Sequence, residues 1–279
     1  MKLSFLSLLL FIGFSLGGCT KQTEPATSET QASQAESSAK VVTQELDYGI
    51  NGVTHRSFAA YDSNLEGSLP VVFVLPEWWG MTDYIKSRVK EIAALGYYAV
   101  AVDYYGEGKF VTTPEEAQKL ASHFYTVPVD ARRMFDAVKN AMVLNERADY
   151  SRMAVIGYCF GGSQALNMGR LSDDFRGVVS FHGNLDTGIR AKNSSVKYLV
   201  LHGEADSFVS NEEIQGFKKE MDSAKIDYKF VSYPGATHAF TNPGSTEVGK
   251  KYGMDIAYQK EADQKSWEEM KTFLATIFK

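Results

Sequence analysis

Cysteine is scarce in this chain: two residues in 279, Cys19 and Cys159, leaving at most one disulfide. The five histidines are scattered, and none pairs with a second His or Cys at finger or zincin spacing, so no metal and no cofactor is expected. Charge of one sign is also lacking. A net charge of -5 gives no reason to expect a nucleic-acid partner. There is no internal repeat, no Walker-type phosphate loop and no Gly-x-Gly-x-x-Gly after a strand. The apolar run Leu3 to Phe14 is too short for a good membrane span.

What is present centres on Val155-Ile156-Gly157-Tyr158-Cys159-Phe160-Gly161-Gly162. An apolar strand pattern runs to Tyr158 and becomes Gly-x-Cys-x-Gly. Glycines two before and two after Cys159 leave room for a strained strand-to-helix elbow that presents the sulfur outward. A thiol there suits acyl transfer through a thioester. A small buried core cysteine is the competing reading. The partners shift the balance. Lys197 to Leu201 reads as a strand, with Asp206 in the loop after it. Asp227 to Tyr233 reads as another, followed by a loop carrying His238. Nucleophile, acid and histidine thus occur in the order of a hydrolase triad, each just past a strand end. His182 and His202 also follow strands and read as structural or pocket-lining.

The sequence resembles the dienelactone hydrolase family from roughly Val41 to Lys279. The matching segments are Leu75-Pro76-Glu77-Trp78-Trp79-Gly80, Val102-Asp103-Tyr104-Tyr105-Gly106, the elbow, His202-Gly203-Glu204-Ala205-Asp206-Ser207-Phe208-Val209 and His238-Ala239-Phe240. The resemblance implies an α/β-hydrolase fold, with Cys159 as nucleophile, His238 as general base and Asp206 orienting it. It also implies Glu77 as a carboxylate beside the thiol that modulates it, and the backbone N–H groups of Trp78 and Phe160 as the oxyanion hole. Family members that act on dienelactone hold the substrate carboxylate with arginines. Here His238 to Asn242 contains none, and Tyr105 to Val129 offers only Lys109 and Lys119. Lysine is a poor substitute for a bidentate clamp. The aromatics Trp78, Trp79, Tyr104, Tyr105 and Phe240 are candidates for an apolar substrate pocket instead.

The amino terminus reads separately. Met1-Lys2, the apolar run and Leu16-Gly17-Gly18-Cys19 resemble the lipobox of bacterial lipoproteins. The resemblance implies a signal peptide over 1–18, cleavage before Cys19 and lipidation of that residue. An exported protein, anchored in a membrane by lipid and facing the periplasm or cell exterior, is then expected. Residues 19–40 are rich in Ser, Thr, Gln, Ala and Glu and read as a flexible tether. With Cys19 lipidated, Cys159 has no disulfide partner.

Residues 41–279 read as one catalytic domain in which strands alternate with helices. Leu69–Leu75 and Tyr98–Val102 are buried strands. Asp83–Leu95 is a helix closed by Gly96. Thr113-Pro114-Glu115-Glu116 and Ser210-Asn211-Glu212-Glu213 are helix starts. Ala131, Phe135, Val138 and Met142 form a helical stripe, and Trp267, Met270, Phe273, Leu274 and Ile277 another. Val41–Ile50 and Arg56–Tyr61 alternate as antiparallel edge strands. The expectation is an α/β fold: a mostly parallel central sheet with helices on both faces. The expected function is hydrolysis of a small-molecule carboxylic ester or lactone through a Cys159 thioester. An acyltransferase using the same thioester, or a non-catalytic surface binding lipoprotein, are the alternatives.

Overall fold

The computed structural model describes residues 39–279. The signal peptide over 1–18, Cys19 and nearly all of the tether lie outside the described residues. Eight strands form one sheet in the order β1-β2-β4-β3-β5-β6-β7-β8. β1 (Val41–Ile50) and β2 (Val53–Asp62) are an antiparallel hairpin, and β2 also runs antiparallel to β4 (Tyr98–Ala101). The remaining pairings, among β3 (Leu69–Leu75), β4, β5 (Ala148–Tyr158), β6 (Gly177–Phe181), β7 (Lys197–Gly203) and β8 (Tyr228–Tyr233), are parallel. This is an α/β-hydrolase fold.

Strand periodicity sorts the core into two layers. Along β3, Val71, Phe73 and Leu75 face one side and Val72 and Val74 the other, because successive side chains alternate across a sheet. The first side is covered by α3 (Pro128–Ala141) through Phe135, α4 (Phe160–Leu171) through Leu166 and α5 (Asn211–Ala224) through Phe217. The second is covered by α1 (Asp83–Ala94) through Ile85 and Val89, and by α7 (Lys260–Ile277) through Met270 and Leu274. Burying each such side chain stabilises the fold by about 1.5–3 kcal/mol.

Local signals set the helix ends. Thr82 caps α1, Thr113 caps α2 (Pro114–Thr126) and Ser210 caps α5, each side chain accepting a backbone N–H three residues on. Pro128 separates α2 from α3, since it cannot donate within a continuous helix. The short helix α6 (Ser245–Tyr252) has no side-chain cap and carries only two large apolar residues, Val248 and Tyr252. Among the described residues, no helix is long and apolar enough to cross a membrane.

Candidate active site

The site is assembled at the carboxyl ends of β3, β5, β7 and β8. Cys159 stands between β5 and α4 with φ 55° and ψ -119°. A non-glycine residue there carries strain of about 1–3 kcal/mol, which the surroundings must hold in place. They do so by close approach. A Cβ on Gly157 would lie 1.8 Å from the Gly161 carbonyl oxygen, and one on Gly161 would lie 2.1 Å from the Leu75 carbonyl oxygen. Only hydrogen at both positions lets α4 start directly over the strand ends. The result is a half-buried, free thiol at the amino end of a helix.

Across from it, His238 follows β8 and Asp206 follows β7. His238 Nδ1 lies 2.8 Å from Asp206 Oδ2, and both residues are buried. The other carboxylate oxygen, Oδ1, accepts the Phe208 N–H at 3.0 Å, so the acid is held from two sides. Burial pulls the imidazole pKa down, but the adjoining Cys159 sulfur and the hydrogen bond to Asp206 outweigh it and push it up to about 10. Cys159 and His238 line one cavity of about 320 Å³ with Glu77, Trp78, Trp79, Gln118, Tyr125, Asn184, Phe208, Ala239, Met254 and Ile256. Among the described residues, neither the Trp78 nor the Phe160 N–H donates to a protein acceptor. Phe160 is the first residue of α4, where an N–H has no partner within its own helix.

Glu77 is buried in the loop after β3, and its Oε2 accepts a hydrogen bond from Asn242 Nδ2 at 2.8 Å. Burial dominates its titration: loss of water raises the carboxyl to about 7, against weaker opposing effects of Asn242, His238 and Arg88. The carboxylate is turned to Asn242 and makes no hydrogen bond to the sulfur. Among the described residues, no group of three His, Cys, Asp or Glu side chains is arranged to hold a metal.

A model of the dienelactone hydrolase family matches residues 58–278 of the chain. The chain belongs to the dienelactone hydrolase family. It is therefore a hydrolase of esters or lactones, with a small molecule as substrate. A probable 2-oxo-3-(5-oxofuran-2-ylidene)propanoate lactonase from Bradyrhizobium is 28% identical over 215 residues, 70% of this chain and 82% of the relative. An uncharacterized protein of Caenorhabditis elegans is 32% identical over 149 residues, 51% of this chain and 91% of its own. Among solved structures, a dienelactone hydrolase-like promiscuous phosphotriesterase from metagenomic libraries matches with TM-score 0.77 and 25% identity. The match covers 86% of this chain and 99% of that one.

Two pocket expectations need correction. Phe240 is fully buried between His182 and Tyr233 and belongs to the core, not the cavity. A fully apolar ring gains more from complete burial than from lining an open cleft. Tyr104 is likewise buried, packed on Phe124 and Phe160, whereas Tyr105 is half-buried. The Tyr105 hydroxyl donates to the Trp78 carbonyl at 2.9 Å, bracing the loop that bears the Trp78 N–H. Tyr105 is itself set by Asp103, whose carboxylate accepts backbone N–H groups from Arg56, Tyr105, Gly106 and Gly108. Trp79 does line the cavity, edge-on to Trp78 at 5.0 Å between ring centroids.

Sequence reasoning did not find the apolar wall made by Tyr125, Phe208, Met254 and Ile256. Phe208 carried a signal, two residues past Asp206 in a matching segment. Met254 and Ile256 carried none, because they reach the cavity only through the course of the loop after α6. His202 is buried against Phe230 and takes no part in lining the cavity.

Proposed function

We propose that the protein cleaves a carboxylic ester or lactone through a thioester on Cys159, with His238 as acid and base and Asp206 as its orienting partner. The observation that carries this reading is a strained thiol at a helix start, sharing a cavity with an imidazole already paired to a buried carboxylate. The raised pKa of the imidazole, about 10, suits His238 to take the proton of the sulfur beside it. The thiolate adds to the substrate carbonyl carbon. The oxyanion is held by the N–H groups of Trp78 and Phe160, each such donor lowering the barrier by about 3 kcal/mol. Collapse expels the alkoxide, which takes the proton from His238. The neutral imidazole then takes a proton from water as the oxygen attacks the thioester. A second collapse releases the acid and restores the thiolate–imidazolium pair.

The mostly apolar wall and the missing arginine clamp favour an ester with an uncharged, hydrophobic acyl or alcohol arm. The test is turnover of a short p-nitrophenyl ester by the protein beside Cys159→Ala. Loss of turnover in the variant, with an acyl adduct on Cys159 by intact mass at short times, supports the reading; equal rates sink it. Added alcohols or amines separate hydrolysis from acyl transfer: ester or amide products in place of the acid assign a transferase. A phosphotriester is a second substrate class, favoured by the likeness to the promiscuous phosphotriesterase at 25% identity. Diethyl p-nitrophenyl phosphate is the probe, and no burst of p-nitrophenol removes it.

We also propose that residues 41–279 are the catalytic domain of an exported lipoprotein, tethered through residues 19–40 and lipidated at Cys19. Incorporation of labelled palmitate in a bacterial host, abolished by Cys19→Ser, supports this. Equal labelling of the two proteins argues against it.

A further inference from the structure

His182 follows β6 with φ 42°, a left-handed conformation uncommon for a non-glycine residue. It is fully buried, behind the elbow and outside the cavity. Its Nδ1 lies 3.1 Å from the Cys159 nitrogen, which also donates to the Phe181 carbonyl at 3.0 Å. The Cys159 N–H is therefore shared between β6 and the imidazole. Because Nδ1 accepts, the ring proton sits on Nε2, and Nε2 lies 2.8 Å from Thr241 Oγ1. Thr241 stands three residues beyond His238 in the same loop. Its hydroxyl continues to Tyr84 Oη at 2.7 Å, and its carbonyl accepts from Arg88 Nη2 at 2.9 Å. One imidazole is thus bonded to the nucleophile's backbone and to the loop that carries the base.

We infer that His182 is a positioning residue for the acyl chemistry, its imidazole fixing the Cys159 elbow in register with the His238 loop. Two features favour this over a merely satisfied core histidine. The bond goes to the backbone of the one strained residue whose placement sets the sulfur. The other nitrogen bonds the loop that sets the general base, so the distance between sulfur and imidazole depends on both ends of this link. Charge supports it. Burial first, then His238 at 5.3 Å between centroids, and Arg88 and His202, all disfavour a protonated His182. Its uncharged neighbours Phe240 and Tyr158 offer no counter-charge. The ring stays neutral, so Nδ1 remains an acceptor while His238 gains and loses its proton. A displacement of about 1 Å between reacting groups can cost about 100-fold in rate.

This inference rests on Cys159 as the nucleophile, and the experiment separates the two. Turnover of a p-nitrophenyl ester is measured for the full chain and for Cys159→Ala, His182→Leu, Thr241→Val and Thr241→Ser. Expected for His182→Leu and Thr241→Val is a loss in kcat of about 10- to 100-fold with KM changed less than about threefold, while Thr241→Ser keeps most of the turnover by retaining the hydroxyl. If His182→Leu fails to fold, the Thr241 pair decides alone, since valine matches threonine in shape. Parental kcat in folded Thr241→Val overturns the inference, as does a Thr241→Ser protein as slow as the valine variant. An active Cys159→Ala protein overturns the thioester reading itself.

Discussion

Glu77→Gln offers a quantitative test of the site's electrostatics. Glu77 is buried, and removal of water raises its carboxyl from an ordinary value of 4.5 to about 7. A raised carboxyl means that the folded protein holds this proton more tightly than the unfolded chain. Between pH 4.5 and 7 the folded state thus binds more protons, so stability falls as pH rises through that window and levels off above it. Below 4.5 both states are protonated and the residue contributes no slope. The gap from 4.5 to about 7, at about 1.36 kcal/mol per pH unit, amounts to about 3 kcal/mol of stability lost across the window. Glutamine has the same shape, keeps an oxygen to accept from Asn242 and never ionises. Urea unfolding of both proteins at half-unit steps from pH 4 to 8 isolates the residue as the difference between two curves. Expected is a difference that grows by about 3 kcal/mol from pH 4.5 to 7 in favour of the variant and is constant outside that range. Parallel curves would refute the reasoning: Glu77 would then ionise as readily in the folded protein as in the open chain.

Other expectations concern the thiol, its base and its supports. Above pH 7 an ionised Glu77 disfavours a thiolate in the same cavity, so Glu77→Gln should react faster with iodoacetamide there and at the parental rate below it; equal rates throughout would remove the carboxylate from control of the sulfur. Asp206→Asn withdraws one of the interactions that raise His238, and a loss of roughly 10³- to 10⁴-fold in kcat/KM is expected from the wrong tautomer and the missing charge, measured by ester turnover. Tyr105→Phe removes the hydroxyl that braces the Trp78 carbonyl; one such bond contributes about 0.5–1.5 kcal/mol, so kcat should fall by up to about tenfold with KM little changed. Two glycine substitutions make a paired test by thermal melting. Gly161→Ala drives a methyl into the Leu75 carbonyl and should unfold the elbow or cost at least about 1–3 kcal/mol. Gly216→Ala, in α5 with open space around it, should instead stabilise by about 0.5–1 kcal/mol.

The chain's own sequence determined the elements that depend on local chemistry. Thr113-Pro114 and Ser210 start helices through the capping bonds of their own side chains, and the unbroken apolar run of β3 marks a strand covered on both faces, so these were legible in the sequence. The order of Cys159, Asp206 and His238 after three strands was legible as well, because a parallel sheet sends successive strand ends to one edge. What the tertiary structure alone decided is which neighbouring groups share that edge. Phe240 and Trp79 look alike as aromatic residues in loops, yet one is sealed in the core and the other faces the cavity. Glu77 meets Asn242 across 165 positions, and His182 joins the elbow to the His238 loop through Thr241, 59 positions away. Hydrogen bonds between residues so distant depend on how loops pack over the sheet, and no local periodicity encodes that distance.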